Sequence, residues 1–585
     1  MSRIIISNNN IWASQMGDMY KKAGFKLSHS NFLGYSMYVF KKLNINNSNY
    51  YENKNDFIAC NGSLIYKEMI GQEALKNLLE DLHFLNISDV RKYLVGTYIV
   101  VVKIEQKIKI FVDECGICSL YYYQKGMNYL ITNTFYHIEK FVHEKIDTFA
   151  LLEELNEYCI FDNKSPFKDI YRLMNDEVIS LDLNNGILKV DKLSVNFYCL
   201  DNKNLDNIIS IISEKMKYYS GLQKLFGKEK VLFMTGGMDS RLVLAADMAV
   251  TYRSILANWQ GDPFMMNTKI EDRKICKLLS ENISFDMEMI DVSDGEKEVI
   301  DSKTFDKYGE YARIYGNNKK WISFFESGKY SFFDFGYFGE TIKGWDLLDE
   351  TYTEPMTVDR YVEIYMGRQC HNYENISSEQ KKYYINYVSN KIISACDRYG
   401  LDKSNLKREE CMFLYYLYRT HADTKCCNLA NTFGYSFNLF AEKKLLDYIH
   451  QIPYEIKQYG HLNLALTKYL CPELLTIPYF SHCHYMSFDN EKMILSKIES
   501  SHVRDKIKKI VVALMVDNMK RYIRKNMTRL HQNNIRKKYV RICKGLNMDK
   551  CMPFYINTDT FSDMTDYLSY WSTVCMMNGL METAD

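Results

Sequence analysis

The 585-residue sequence has no surplus of charge: 74 Lys and Arg stand against 73 Asp and Glu, a formal net charge of +1. That balance gives no global electrostatic reason to expect a nucleic acid or an anionic membrane as partner. Long apolar runs are missing too. The most apolar windows, 93–102 and 510–516, fall well short of the roughly 20 residues a membrane span needs. The start, Met1-Ser-Arg-Ile-Ile-Ile-Ser-Asn-Asn-Asn, has neither a long apolar segment nor a small-residue cleavage site, so no secretory signal is expected. Only 7 Pro accompany 47 Tyr, a bias that points to an AT-rich coding source rather than to a function. The 16 Cys lie mostly in apolar runs and read as reduced, buried thiols, not as a disulfide scaffold. Cys115-Gly-Ile-Cys118 has no second Cys pair at zinc spacing and belongs to an expected hairpin, which favours a structural role. His482-Cys-His484 with Cys471 is likewise too few ligands for a metal site. The expectation left by these absences is a soluble cytoplasmic enzyme.

A chain of this length has room for at least two domains. Its first 200 residues read as β-rich, with short apolar runs at 57–60, 98–104, 108–112 and 128–132 and one helical stretch at 72–85. From 201 to 495 strands and helices alternate: a helix at 205–226, strands at 231–234, 252–258 and 285–291, and a helix at 269–279. That is the doubly wound pattern, with ligand expected at the strand C-terminal ends. Residues 361–368, 379–399, 409–424 and 442–451 then read as amphipathic helices. The last part, 496–585, is basic, with 15 Lys or Arg against 3 Asp between Val503 and Lys550. Such a run is usually a solvated face, and it would also suit docking of an acidic carrier protein, peptide or RNA.

The chemistry concentrates at Val231-Leu-Phe-Met-Thr-Gly-Gly-Met-Asp-Ser-Arg-Leu-Val-Leu-Ala-Ala246. Four apolar residues make a buried strand, two glycines a turn, and the rest a helix. Main-chain N–H groups and the helix dipole then converge on one spot, an anion cradle. The loop is too short for a Walker pattern. Thr235-Gly-Gly-Met-Asp-Ser240 instead resembles the Ser-Gly-Gly-x-Asp-Ser loop of ATP pyrophosphatases, which split ATP into AMP and pyrophosphate. A second motif, Phe332-Phe-Asp-Phe-Gly-Tyr-Phe-Gly-Glu-Thr341, resembles the Ser-Gly-Glu-Gly-x-Asp-Glu segment of the asparagine synthetase family, with Gly336 on its first Gly and Glu340 on its Asp.

The earlier part of the chain resembles the same family. Asn61-Gly62, Leu94-Val-Gly-Thr-Tyr98, Asp113-Glu-Cys-Gly-Ile-Cys-Ser-Leu-Tyr-Tyr122, Phe167-Lys-Asp-Ile-Tyr-Arg-Leu173 and Glu177-Val-Ile-Ser-Leu-Asp182 follow the order of an N-terminal glutaminase domain: an Asn-Gly turn, a Gly-x-Phe strand, an Asp-x-x-Gly hairpin and closing strands. The resemblance implies an Ntn-hydrolase-like sandwich over 1–200 and an ATP-pyrophosphatase domain over 201–495. It also exposes a loss. The family's nucleophile is an N-terminal Cys; here residue 2 is Ser, and no glutamine-holding Arg-Gly-Pro-Asp-like segment is found. Asn61 and Gly62 match the oxyanion-hole pair without a thiol to serve.

By this resemblance Thr235, Gly236, Gly237, Met238, Asp239, Ser240 and Gly336 line the nucleotide and pyrophosphate site. Leu232, Phe233 and Ala257 flank the adenine through backbone contacts, and Asp239 and Glu340 share Mg²⁺. Tyr337 stands where asparagine synthetases carry Glu and β-lactam synthetase carries Tyr, so it would face the amine. Glu271-Asp272 resembles the acidic start of the second helix. The late Lys that usually follows Ile477-Pro478 is absent, and Lys468 or His482 would replace it. Two departures stand out: Glu340 is a methylene longer than the usual Asp, and Phe338 replaces a small residue. The implied function is an ATP-dependent, AMP-forming ligase that joins a small-molecule or peptide carboxylate to an amine without hydrolysing glutamine. The alternatives are a glutamine-dependent asparagine synthetase and a non-catalytic scaffold of the same fold.

Overall fold

The computed structural model describes residues 2–31, 34–157, 159–193, 204–260, 267–283, 285–291, 302–312, 319–344, 346–366, 373–374, 378–481, 484–489, 492–495 and 555–556. The loop 261–266, His482, Cys483 and the basic run 503–550 lie outside the described residues.

Twelve strands precede residue 193: β1 (Ile4–Ser7), β2 (Leu27–Asn31), β3 (Ser36–Phe40), β4 (Tyr50–Asn53), β5 (Asp56–Tyr66), β6 (Leu94–Ile104), β7 (Lys107–Val112), β8 (Tyr121–Lys125), β9 (Asn128–Thr132), β10 (Ile170–Arg172), β11 (Glu177–Asp182) and β12 (Ile187–Lys192). They form two six-stranded sheets, β10-β8-β9-β1-β3-β2 and β12-β11-β7-β6-β5-β4. Every bonded pair whose register is resolved in them is antiparallel. The apolar run in β6 is covered on both faces. Ile99 and Val101 join the large core that also holds Ile4, Ile6 and Val39, whereas Tyr98, Val100 and Val102 pack with Leu75, Leu78 and Leu79 of the helix Gly71–Leu82. Period-two alternation sorts the side chains, and the helix explains why neither set is polar.

Two expectations for this half are corrected. Asn61-Gly62 is not a turn: it lies inside β5, opposite Ile99 and Tyr98 of β6. Gly62 takes φ +109°, and a Cβ there would come within 2.2 Å of the Thr97 carbonyl oxygen. Gly96 mirrors it across the ladder at φ +105°, where a Cβ would come within 2.2 Å of the Ser63 carbonyl oxygen. The two irregularities need glycine because the strands approach too closely for a side chain. Nor is 113–122 a hairpin. β7 belongs to one sheet and β8 to the other, so the segment crosses the sandwich. Asp113 fixes the crossing by accepting the amides of Cys115, Ile117 and Cys118 at 3.2, 2.9 and 2.8 Å. The hairpin is β8–β9.

The second half is built on a parallel sheet of β13 (Glu229–Phe233), β14 (Arg253–Gln260), β15 (Met287–Asp291), β16 (Phe332–Phe335) and, beyond the short β17 (Tyr373–Glu374), β18 (Tyr435–Ser436). Its order is β15-β14-β13-β16-β18, all neighbours parallel. Successive strands run outward from β13 one way and then resume on its other side, so the order reverses between β13 and β16. An open crevice at the strand C-terminal ends is expected at such a point. Below it, fully buried Lys230 of β13 meets Asp247 of the following helix at 2.9 Å and Asp334 of β16 at 2.7 Å. No described helix is long and apolar enough to cross a membrane.

Polar contacts join the two halves. Lys42, between β3 and β4, donates to Asn431 Oδ1, the Asn431 carbonyl and the Gly434 carbonyl at 2.8, 3.1 and 2.7 Å. Thr97 Oγ1 donates to the Ser436 carbonyl at 2.6 Å. The chain is thus a mixed α/β protein with two antiparallel sheets and one parallel sheet.

Candidate functional site

β13 ends at Phe233, and the helix Met238–Ala249 starts five residues later behind Gly237, with no side chain capping its first turn. The glycines allow the tight turn, and the twelve-residue helix aims its free N–H groups at the crevice. Within the loop, Thr235 N–H donates to Ser240 Oγ at 3.1 Å, Gly236 N–H to Asp272 Oδ1 at 2.8 Å, and Gly237 N–H to Thr235 Oγ1 at 3.3 Å. A carboxyl oxygen of Asp272 thus occupies the Gly236 amide of this loop. Asp272 comes from the helix Asn267–Ile283, the element whose acidic start the sequence singled out.

The second motif arrives from β16. A Cβ on Gly336 would fall 2.7 Å from the Ser240 amide nitrogen, and one on Gly339 would fall 2.2 Å from the Asp239 Cβ. Loops about one hundred residues apart in sequence are thus in backbone contact, and only glycine permits it. Glu340 opens the short helix Glu340–Lys343 directly after this contact and is half-buried. Lys343 Nζ stands 3.3 Å from Asp239 Oδ2, and Asn463 Nδ2 lies 3.5 Å from Asp239 Oδ1. Phe338 has φ +70° and is buried edge-on against Tyr416. A glycine takes that backbone freely, while a phenylalanine holds it at a cost of about 1–2 kcal/mol.

The other expected residues are placed less uniformly. Leu232 and Phe233 are buried, and β13 is paired on both sides, with Leu232 opposite Leu256 and Asp334. Leu232 is deep in the ladder; the Met234 carbonyl, nearer the crevice, is taken by Asn258 Nδ2 at 2.7 Å. Ala257 is buried, and its carbonyl accepts from Met234 N–H at 2.9 Å. Met238 turns away from the loop into a cluster with Leu464 and Tyr479. Tyr337 is half-buried, its ring stacked on Phe335 at 5.2 Å, which stacks on Phe233 at 4.7 Å. Lys468 is exposed on the helix His461–Leu470, and among the described residues the cation that pairs with Asp239 is Lys343.

Lys343 and Asn463 were not singled out from the sequence. Lys343 follows Glu340 at helical i,i+3 spacing, a signal that could have found it. Asn463 lies 224 residues from Asp239, and nothing local marks it. Arg241 was also missed: it donates to the carbonyls of Leu474, Ile477 and Pro478 at 3.2, 2.5 and 3.0 Å, tying the Ile477-Pro478 segment to the loop helix.

The donor set fits a magnesium nucleotide. Mg²⁺ is held by one or two carboxylates together with phosphate oxygens rather than by an all-protein cage. Asp239 and Glu340 would supply the carboxylates, and the uncapped helix start would receive the anion. No group of three His, Cys, Asp or Glu among the described residues is arranged for a metal.

Around Ser2 the sandwich is filled. Ser2 is 1% exposed, its carbonyl accepts from Asn61 Nδ2, and the space lined by Ser2, Lys42, Cys60 and Gly62 holds about 50 Å³. Ser2 Oγ has no hydrogen-bond partner among the described residues. Burial pushes the Lys42 ammonium down to about 7 and the Cys60 thiol up to about 12.

The sequence matches no protein-family model and no curated protein. Among solved structures, it is similar to glutamine phosphoribosylpyrophosphate amidotransferase from B. subtilis complexed with ADP and GMP. The identity is 9% and the TM-score 0.21, over 49% of this chain and 65% of that one. A structure of the allosteric regulatory enzyme of purine biosynthesis is similar at 9% identity and a TM-score of 0.22, over 46% of this chain and 67% of that one. The chain thus spans about two thirds of their length, and likenesses at these TM-scores carry no conclusion about what it does.

Proposed function

We propose that the chain is an ATP-dependent, AMP-forming carbon–nitrogen ligase of asparagine-synthetase-like design, joining a carboxylate to an amine without hydrolysing glutamine. The observation that carries this reading is the contact of Gly336 and Gly339 with Ser240 and Asp239 at the point where the parallel sheet reverses order. It brings together a phosphate-type loop and a second carboxylate-bearing loop, as such a reaction requires. Bound there with Mg²⁺, ATP would supply the adenylating group and the pyrophosphate that leaves.

The chain's own residues have distinct tasks. Gly236, Gly237 and the first turn of the helix Met238–Ala249 receive phosphate oxygens, with Asp272 giving way. Asp239 and Glu340 hold the metal. Lys343 positions Asp239 and adds positive charge where negative charge develops. The stack Phe233–Phe335–Tyr337 walls the crevice from water, and the Tyr337 hydroxyl orients the incoming amine. The N-terminal sandwich, read as an Ntn-hydrolase-like domain that has lost its thiol, serves as a packing partner: its nucleophile position carries Ser2 in about 50 Å³ of space.

The test is Mg²⁺-dependent exchange of labelled pyrophosphate into ATP by the purified protein, supplied with a panel of carboxylates. Exchange that needs a carboxylate and is lost in Asp239→Asn supports the ligase. No exchange with any carboxylate returns the chain to the scaffold reading, and glutamate release from glutamine returns it to the amidotransferases.

A further inference from the structure

A cavity of about 630 Å³ opens where the sandwich meets the helices Ser378–Tyr399, Arg408–Phe433 and Lys443–Gln451. No residue of 235–240 or 336–341 lines it. Tyr416, on its wall, contacts Phe338 edge-on at 5.7 Å, so the cavity lies behind the candidate site rather than within it. Its size falls in the range of about 300–1,000 Å³ that small-molecule sites occupy.

Six cations line this cavity together with His421: Arg91, Arg172, Lys192, Lys391, Arg398 and Lys443. Lys443 pairs with Asp447, and two more are neutralised by the protein. Lys391 pairs with Glu153 and, at 3.0 Å, with Asp162; Arg398 pairs with Asp176. Two buried arginines are not paired in this way: Arg91, which donates to the Val112 carbonyl at 2.9 Å, and Arg172. Arg172 is 6% exposed, yet its guanidinium donates only to neutral acceptors: Nη1 to His421 Nδ1 at 2.5 Å and Nη2 to the Gly116 carbonyl at 2.6 Å. Among the described residues no carboxylate forms an ion pair with it. Glu154, which shares a smaller neighbouring cavity with Arg172, is taken by Lys425 at 2.9 Å.

His421 cannot act as a second charge. Burial, and then Arg172, Lys391, Arg398 and Lys425, hold its pKa well below the ordinary histidine value. Because Arg172 donates to Nδ1, the proton of the neutral ring sits on Nε2 and makes that atom a donor. A buried cation without a counter-ion is costly, and buried charges are as a rule paired. The planar guanidinium suits two oxygens of one anion.

We propose that this cavity is a binding site for a small organic anion, whose carboxylate or phosphate oxygens are received by Arg172 and by the Nε2–H of His421. The assignment does not depend on the ligase reading.

Full-length protein is titrated with succinate and, separately, with inorganic phosphate, and binding is read as a saturable rise in Tm. At least one probe should raise Tm in the parent protein. Arg172→Gln should abolish the response, and Arg172→Lys, which keeps the charge but not the fork, should weaken it at least about tenfold. A response to succinate alone identifies a carboxylate ligand, and one to phosphate alone a phosphate-bearing ligand. Dependence on Arg172 separates this site from phosphate bound at the loop 235–240, where Asp239→Asn is the matching control. The proposal is overturned by the lack of a saturable response to either probe, or by an undiminished response in Arg172→Lys protein that melts at the parent temperature without probe.

Discussion

Gly339 and Asp239 touch so closely that a Cβ on the glycine would stand 2.2 Å from the aspartate Cβ and 2.3 Å from its carboxyl carbon. Gly339→Ala should therefore push Asp239 out of place. The expected cost is about 1–3 kcal/mol of stability, as for overpacking. Pyrophosphate exchange should fall by far more than that loss of folded protein explains. Comparing exchange per folded molecule, from a urea titration, with the parent value checks this; unchanged exchange would show that the contact does not shape the site.

Asp239→Asn and Glu340→Gln should each lower turnover for AMP formation by about 2–4 kcal/mol of barrier, because the charge they clamp develops mainly in the transition state. Lys343→Met should also reduce turnover. It should change stability by less than about 1 kcal/mol, since the Lys343 and Asp239 side chains are 25% and 19% exposed and such pairs contribute little. Steady-state kinetics beside thermal melts separate the two effects.

Ser2→Ala should leave ATP-dependent product formation unchanged. Ser2→Cys should not create glutamine hydrolysis, because about 50 Å³ is far below the about 300–1,000 Å³ that small-molecule sites occupy. Release of glutamate by the parent protein, abolished in Ser2→Ala, would sink this view of the N-terminal half.

Lys230→Met should destabilise the parallel-sheet half by about 3–5 kcal/mol, since it leaves Asp247 and Asp334 buried without their shared cation. Urea denaturation read by tryptophan fluorescence tests it. A loss under about 1 kcal/mol would mean that the two carboxyls are protonated in the folded chain.

Glu139 and Glu310 have both carboxyl oxygens buried with no side-chain hydrogen bond among the described residues, and burial pushes each pKa up to about 8 from 4.5. Between those values the folded chain keeps protons that the unfolded chain has released, so these groups lower stability as pH rises from 5 to 8. Buried His137, His421 and His450, with lowered pKa values, act in the opposite sense below about 6.5. The test is therefore a difference: relative to the parent, Glu139→Gln/Glu310→Gln protein should gain stability between pH 5 and pH 8. A difference that does not change with pH would show that both carboxyls are ionised in the folded state.

The part of the site that lies within one continuous stretch was legible. Val231–Met234, the two glycines and the helix after them announce a buried strand, a turn and a helix start by composition alone, and the structure has them in that order. Asn61-Gly62 shows where the same reasoning fails. Asn-Gly is among the strongest local turn signals, yet ladder pairing with Ile99 and Tyr98 holds it inside a strand. Asp113-Glu-Cys-Gly likewise suggested a hairpin, but the choice of sheet for the next strand depends on which core it completes.

The sequence by itself determined a β-rich first part, an alternating strand–helix second part and the strand–loop–helix of 231–249, because each rests on side-chain periodicity or on glycine chemistry within a few residues. Only the tertiary structure decided that Gly339 meets Asp239, that Lys343 rather than Lys468 is the cation there, and that Arg172 lies beside His421 with no carboxylate partner among the described residues. Those residues are brought together by the order of strands across the sheet and by the packing of the helices onto the sandwich. Such long-range contacts are set by how whole buried faces fit, and no short stretch of chain encodes that fit.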